Sequence, residues 1–421
     1  MERVFIKTFG CRMNDYDSQR MAGALAEDGY IITEKEEEAD VVIINTCSVR
    51  GHAEDRAMSH IGRYVKGKKV VVAGCMAQNL GAVLKKQFPK IFAVAGTLYF
   101  SEMGRILREG GVFTSGGTEE YKTVLRKGGV SGLITIMQGC DNYCSYCIVP
   151  YVRGRERSRP VKAIIEELKG MAGEGYKEAM FLGQNVNSYR DRESGADFTK
   201  LLLAACEVNG IERIRFMTSH PKDLNSRLID AVAAEEKLCP HFHLPVQSGS
   251  DSVLKRMNRG YTAAEYLAKT SNIREKIKDV SITTDILIGF SGETEEDFLR
   301  TVELVEEVRF DSAYMFRYSV RKGTDAEKFP DDVPEEEKLR RLNYLLDLQK
   351  KIGEDVNRAY VGREFDVLVL GESEKDRAFM KGTTANNKRV YIGGVLAVPG
   401  VTVRAGLTEL RGESFIGEIK K

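Results

Sequence analysis

Much of what usually announces a protein's role is missing from this chain. Its 63 lysines and arginines nearly cancel its 62 aspartates and glutamates, leaving a net charge of +1. No global field advertises a nucleic-acid or membrane partner, so any such partner must be read from local patches. No apolar run approaches the ~18 residues needed to span a bilayer, and no membrane partner is expected. The opening residues, MERVFIKTFG, carry no secretory pattern, which makes a cytoplasmic protein the expectation. Long repeats and low-complexity tracts are absent. In a reducing cytosol the eight cysteines are not expected to build a disulfide framework, and metal or redox chemistry is the better reading.

What is present is a globular composition, 42% apolar and 30% charged, over 421 residues, enough for two to three domains. The first hundred residues alternate β-branched apolar runs (RVFIKTFG, ADVVIINTC, KKVVVAGC, IFAVAGT) with helical stretches. That alternation, at roughly 30 residues per repeat, predicts an N-terminal doubly wound α/β domain with a parallel sheet. Residues 110–132 are rich in glycine and read as a linker ending in a short strand or two. Six further strand candidates (LITIM, EAMFLG, IRFMTSH, HFHLPV, SITTDILIGF, SAYMFRY) predict a central open (βα)6 partial barrel, closed by a long charged helix. The last stretch changes to short alternating strands, as in a small C-terminal β-barrel. The expected boundaries are 1–120, 121–360 and 361–421.

The strongest chemical signal is GCDNYCSYCIVP, which places Cys140, Cys144 and Cys147 in a C-x3-C-x2-C loop after a strand. Three thiolates in so short a loop suit one face of a cubic iron–sulfur cluster, leaving the fourth iron open to a substrate. A zinc site is the alternative, although C-x2-C pairs usually bind zinc in twos. With Tyr146 before the last cysteine, the loop resembles the radical S-adenosylmethionine superfamily. The resemblance implies that the open iron chelates S-adenosylmethionine and that an electron from the cluster cleaves it to a 5′-deoxyadenosyl radical. It also implies a six-stranded partial barrel. Loop motifs at later strand ends are then candidate cofactor contacts: Gly183, Gln184 and Asn185; Ser219 and His220; Gln247 and Ser248; Asp285, Gly289, Gly292 and Glu293. Each of these is, alternatively, an ordinary turn or helix cap. His241 and His243 alternate in a strand and are expected to pack or hydrogen-bond, not to ligate metal.

Cys11, Cys47 and Cys75 each end an apolar strand. Ligand sites in open α/β sheets lie beyond the carboxyl ends of neighbouring strands, so the sheet is able to bring these thiols together without sequence proximity; taken singly, each is alternatively a core cysteine. Gly10 and Gly74 permit close backbone approach, while Asn14, Asn45, Thr46 and Gln78 are placed to hydrogen-bond cluster sulfurs. Cys206 and Cys239 are read as inert packing residues.

TFGCRMNDYDS, NTCSVRGHAEDRA, AGCMAQ, GCDNYCSYCIVPYVRGRERSRP, LGQNVNSY and LPVQSGSD together resemble the methylthiotransferases over essentially the whole chain. That resemblance implies a second [4Fe–4S] cluster on Cys11, Cys47 and Cys75, with an open iron that carries the sulfur to be inserted. One S-adenosylmethionine would methylate that sulfur, and a second would furnish the radical that activates the base. A C-terminal TRAM barrel over residues 365–419 is implied as well. LGQNVNSY, CRMN and NTCSVR are similar to the subgroup acting on N6-isopentenyladenosine at position 37 of tRNA. The subgroup acting on threonylcarbamoyladenosine is the runner-up, and that modifying a ribosomal-protein aspartate usually has histidine where this chain has Ser248. Arg190, where glycine is the norm, and a linker less basic than usual are departures near the substrate mouth. The implied partners are a tRNA anticodon stem-loop, an electron donor such as flavodoxin or ferredoxin, and a sulfur source. Candidate phosphate-binding groups are Arg153, Arg155, Arg157, Arg159 and Lys162 beside the cluster loop. In the terminal barrel they are Lys388 and Arg389, with Asn386, Asn387 and Tyr391. A rival from another class is a non-catalytic iron–sulfur carrier or electron-transfer protein.

Overall fold

In the first hundred residues the β-branched runs pair as one parallel sheet. The computed structural model describes residues 1–48, 51–118, 121, 123–393 and 398–420. In space the strands run Ile31–Ile32, Arg3–Thr8, Val41–Thr46, Lys69–Gly74, Ala93–Ala95, Gly111–Phe113, every adjacent pair parallel. Val41–Thr46 is buried at every position because helices cover both faces. Val41 and Ile43 pack with Met21 and Leu25 of helix Arg12–Glu27. Val42 and Ile44 meet Ala57 and Ile61 of helix Gly51–Tyr64, and Met76 and Leu84 of helix Cys75–Gln87. The winding direction reverses between Arg3–Thr8 and Val41–Thr46, which opens a crevice beyond their carboxyl ends.

Two strands escape the sequence pattern. Ile31–Ile32 and Gly111–Phe113 are the sheet's edges, too short to show a period. The second corrects the linker expectation for residues 110–132. Leu125 donates its N–H to the Gln19 carbonyl at 3.1 Å, and a Cβ on Gly23 would collide with the Thr123 carbonyl. Thr123 and Leu125 therefore lie along helix Arg12–Glu27.

The chain divides into two compact units. One comprises Met1–Lys127 with Gln138–Asp141 and Cys147–Arg157; the other comprises Gly128–Met137, Asn142–Tyr146 and Ser158–Lys421. In the second unit six parallel strands follow chain order: Ser131–Thr135, Glu178–Leu182, Arg213–Phe216, His241–His243, Ser281–Ile288 and Ser312–Arg317. The two three-stranded ladders join through a parallel bridge from Ile214 to Leu238. Among the described residues no ladder closes the last strand onto the first, so the barrel is open. Phe181, Phe216, Phe242, Ile282 and Ile286 fill the layer beneath the helices. Helix Glu335–Arg358 buries Leu345 and Ile352 against that core.

A closed barrel of five strands ends the chain: Glu364–Glu372, Phe379–Thr384, Arg389–Gly393, Ser414–Ile419 and Thr402–Arg411. Val367, Val390, Ile392, Leu407 and Phe415 fill it. Polar groups at the amino ends of the open barrel's strands hold it in place. Arg213 donates to the Thr383 and Asp366 carbonyls, at 2.6 and 2.9 Å, and Arg215 donates to those of Ala385 and Thr384, at 2.8 and 2.7 Å. Asn386 donates to the Asp279 carbonyl at 2.8 Å.

Candidate active site

Cys11, Cys47 and Cys75 lie just past the carboxyl ends of three adjacent strands, across the point where the winding reverses. A Cβ on Gly10 would fall 2.7 Å from Cys47 Cβ, and one on Gly74 would collide with Asn45 Oδ1 and the Thr46 carbonyl; both glycines have positive φ. Only glycine lets the loops approach this closely. Burial pushes the Cys75 thiol up to about 12, Arg153 opposes that rise, and Cys47, Asp17 and Cys11 add to it. The three thiols thus share one electrostatic neighbourhood.

Of the polar residues expected at the cluster sulfurs, Asn14 meets one, its Oδ1 accepting from Cys11 Sγ at 3.4 Å; their other bonds hold the loops. Asn14 Nδ2 donates to Asn45 Oδ1 (3.2 Å) and the Thr46 carbonyl (2.9 Å); Asn45 Nδ2 donates to the Asn14 carbonyl and Ser18 Oγ (both 2.9 Å). Thr46 Oγ1 donates to the Ala73 carbonyl at 2.6 Å, and Gln78 Nε2 to that of Thr114 at 2.8 Å. Their donors are used within the sheet's own rim.

In the same unit, Cys75 packs with Ile148 and Val152. Arg153, on the helix Val149–Arg153, donates to Asp17 Oδ2 at 2.6 Å and Gln138 Oε1 at 3.1 Å. Its side chain is 3% exposed and that of Asp17 0%, so Arg153 is an internal cation. The phosphate-gripping expectation is corrected for it and for two others whose charge is likewise spent inside. Arg159 is buried on the Thr135 carbonyl and Glu167, both at 2.7 Å. Lys388 is buried on Asp311 and Asn357, and Asn386 is buried with it. Arg155 is exposed beside Asp141 at 2.7 Å, Arg157 is half-buried with N–H groups on the Arg155 and Arg153 carbonyls, and Lys162 and Arg389 are exposed.

The tight loop holds Cys140 and Cys144 buried and Cys147 half-buried. Cys140 N–H donates to the Gly154 carbonyl at 3.1 Å. Residues 142–146 are clamped from a distant segment. Asn258 Nδ2 donates to the Asn142 and Tyr143 carbonyls (3.2 and 2.9 Å), and Ser145 N–H to that of Met257 (3.0 Å). Arg259 Nη1 donates to Cys144 Sγ at 3.2 Å and its Nη2 to the Pro245 carbonyl at 2.8 Å. No sequence signal pointed to Arg259, because its role arises from tertiary approach alone. Tyr146 meets Phe290 edge-on, with centroids 6.3 Å apart.

The strand-end motifs divide by what their side chains do. A Cβ on Gly183 would sit 2.6 Å from Met137 Cγ, so its smallness serves packing. Asn185 ties two loops, donating to Asp223 Oδ2 at 2.6 Å and accepting from His220 N–H at 3.1 Å. Gly289 makes room for Lys338, and Glu293 pairs with Arg341 at 2.9 Å, so both anchor the long helix. Ser248 supports the Ser250 turn through its hydroxyl. Gln247 has φ +71° and its N–H bonds the Asp285 carbonyl at 2.9 Å. Thr218 and Tyr143 also hold positive φ; strain of this kind concentrates at functional sites. Gln184 Oε1, Asn187 Oδ1 and Nδ2, Ser219 Oγ and His220 Nε2 are buried with no partner in the protein. Burial, with Arg259, Lys222 and Lys269 nearby, lowers His220 to about 2, so its ring is neutral. His241 and His243 hydrogen-bond Thr283 at 3.1 and 3.0 Å.

These donor sets fit iron–sulfur clusters and a polar cofactor. Among the described residues no group of three or more His, Cys, Asp or Glu side chains is placed to hold a single metal ion. An iron–sulfur cluster gives each thiolate its own iron. The orphaned amide, hydroxyl and imidazole atoms are the complement an amino-acid-bearing cofactor requires.

Residues 134–305 match the radical SAM superfamily, and residues 3–96 match an uncharacterized protein family designated UPF0004. A radical S-adenosylmethionine methyltransferase from Kitasatospora setae superposes with TM-score 0.57 at 16% identity, covering 75% of this chain and 73% of that one. The fold and the cysteine loop thus define a radical S-adenosylmethionine protein. Over its full length the chain is 44% identical to the tRNA-2-methylthio-N(6)-dimethylallyladenosine synthase of Alkaliphilus oremlandii, covering 99% of this chain and 93% of that protein. The synthase of Pelotomaculum thermopropionicum is 43% identical, with coverage of 98% and 96%. The chain belongs to the family of tRNA-2-methylthio-N(6)-dimethylallyladenosine synthases.

Proposed function

We propose that this chain replaces the C2 hydrogen of N6-isopentenyladenosine at position 37 of tRNA with a methylthio group, using S-adenosylmethionine and two [4Fe–4S] clusters. The observation that carries the reading is the pair of thiol triads, one on a short loop and one across three strand ends. When bound, a cluster on Cys140, Cys144 and Cys147 supplies the electron that cleaves S-adenosylmethionine, and one on Cys11, Cys47 and Cys75 carries the sulfur.

The chain's own groups prepare both sites. The Arg259 N–H at Cys144 Sγ stabilises a thiolate there. Arg153 favours the charged form of Cys75 against its burial, and loading a ligand there must release the thiol proton. Gln184, Asn187, Ser219 and neutral His220 orient S-adenosylmethionine with atoms that have no other partner. Arg155, Arg157, Lys162 and Arg389 contact tRNA phosphates. A flavodoxin or ferredoxin furnishes electrons and a separate source furnishes sulfur, in the cytoplasm. No helix among the described residues is long and apolar enough to cross a membrane.

Neither the threonylcarbamoyl substrate nor a non-catalytic carrier is favoured by the family the chain belongs to. Nucleoside mass spectrometry of tRNA from a deletion strain tests this. Loss of 2-methylthio-isopentenyladenosine, restored by the wild-type chain, is the expected result. Loss of only the threonylcarbamoyl counterpart overturns it.

A further inference from the structure

The inward face of the open barrel holds a group of side chains that the chemistry above leaves unused. Residues alternate along its strands: Phe242, Leu244, Ile282 and Ile286 enter the core beneath the helices. His241, His243, Thr283 and Asp285 therefore project the other way, into the lumen. There His241 Nε2 lies 3.1 Å from Thr283 Oγ1, His243 Nδ1 lies 3.0 Å from the same oxygen, and His243 Nε2 lies 3.5 Å from Asp285 Oδ2. The Thr283 hydroxyl carries one proton, so it accepts from one imidazole and donates to the other. With His241 donating, His243 accepts at Nδ1 and presents its Nε2–H to Asp285. The chain ends on a carboxylate whose side chain is 30% exposed.

Register places Tyr314 opposite Asp285 and Phe316 opposite Leu287. Ala313 and Met315 pack against the core, whereas Tyr314 is 51% and Phe316 38% exposed. The Tyr314 ring stands 6.0 Å from that of His243, edge-on. The half-exposed Tyr314 ring and the part-exposed Phe316 ring thus flank an oriented carboxylate on this face of the sheet. A flat heterocycle with an exocyclic N–H and an apolar substituent fits this combination: rings take its face and alkyl group, and the carboxylate takes the N–H.

We propose that Asp285, oriented by His243, together with Tyr314 and Phe316, seats the target base, an adenine alkylated on its exocyclic amine. This rests on the function proposed above. It moves Asp285 from cofactor contact to substrate contact. S-Adenosylmethionine also carries an adenine, so the test must separate the two sources.

The full-length, anaerobically reconstituted protein is compared with Asp285→Asn and Tyr314→Ala, with melting temperature as the folding control. Affinities for S-adenosylmethionine and for anticodon stem-loops with and without the isopentenyl group are measured, along with KM and kcat. Each variant is expected to bind the isopentenylated stem-loop about tenfold more weakly, from loss of a charge-assisted hydrogen bond or of one stacking contact. Binding of S-adenosylmethionine should not change, and the unmodified stem-loop, whose adenine also offers an exocyclic N–H and a ring face, should weaken by no more than the isopentenylated one. Unchanged affinity and KM for the isopentenylated RNA in both variants overturns the proposal. So does an equal loss of S-adenosylmethionine affinity, which would make this the cofactor's adenine site. If the wild type methylthiolates no isopentenylated RNA, the functional reading itself has failed. The seat then stands or falls on whether the variants weaken binding of the RNA the wild type does accept.

Discussion

Cys140, Cys144 and Cys147 lie on one short loop, whereas Cys11, Cys47 and Cys75 come from three strand ends of a parallel sheet. The loop needs help to hold its shape: Asn258, Met257 and Arg259 reach residues 142–146 from more than a hundred positions away. The sheet's strand ends are set by Val41–Thr46, buried throughout, by Lys69–Gly74, buried past its first residue, and by the Asn14–Asn45–Thr46 hydrogen bonds at the rim. A local motif is thus cheap to encode and must be clamped; a dispersed one costs a whole domain and arrives already rigid.

Removing one thiol from each triad is the sharpest test of that contrast. Cys144→Ala should reduce 5′-deoxyadenosine formation below detection, while Cys75→Ala should retain it and yield no methylthiolated nucleoside. Methylthio product from the Cys75 variant would erase the distinction. The largest stability effect belongs to the internal pair beside the dispersed triad. Arg153→Met removes one cation from buried Asp17, which keeps Arg20 at 3.9 Å, so the cost in chemical denaturation should stay below the about 3–5 kcal/mol of a fully broken buried pair. A double Arg153→Met, Asp17→Asn variant should lose less than the sum of the single changes.

Gly10→Ala acts on the sheet's rim. With positive φ and Cys47 Cβ only 2.7 Å away, it should cost about 1–3 kcal/mol, and iron retained after reconstitution should fall towards half. Unchanged iron would show that the rim is softer than the comparison holds. On the barrel side, His220 sets a pH dependence. Its folded value of about 2 lies below the ordinary 6.5, so the unfolded chain takes up the proton first as pH falls. Stability is complete above about 6.5 and declines below it, by at most about 1.4 kcal/mol per pH unit. His220→Asn should flatten that decline in melts between pH 6.5 and 5. The smallest effect is expected from Arg155→Gln, whose exposed pair with Asp141 contributes no more than about 1 kcal/mol. In stem-loop binding, however, the same change should lower the salt-dependence slope by about one.

The continuous runs VVIINT and VVVAG were legible as strands because a parallel sheet buries both of their faces. Ile31–Ile32 and Gly111–Phe113 were not, since two or three residues show no period. The basic stripe misled for a related reason. Arg153, Arg157 and Arg159 look equivalent in a chain of charges, yet burial depends on what lies across from each. Asp17 meets Arg153 from 136 positions away, and Glu167 meets Arg159 from the helix that follows it. Arg259 and Tyr314 left no local signal at all.

By itself the sequence determined the element types, the tight triad, and the fact that three other thiols end apolar strands, because strand period and loop spacing are local properties of the chain. Which thiols share a neighbourhood, which cations are spent inside, and which aromatic faces stay open were decided only by tertiary structure. Those outcomes depend on desolvation and on the partners that folding brings within a few ångströms, and neither is written in any one segment.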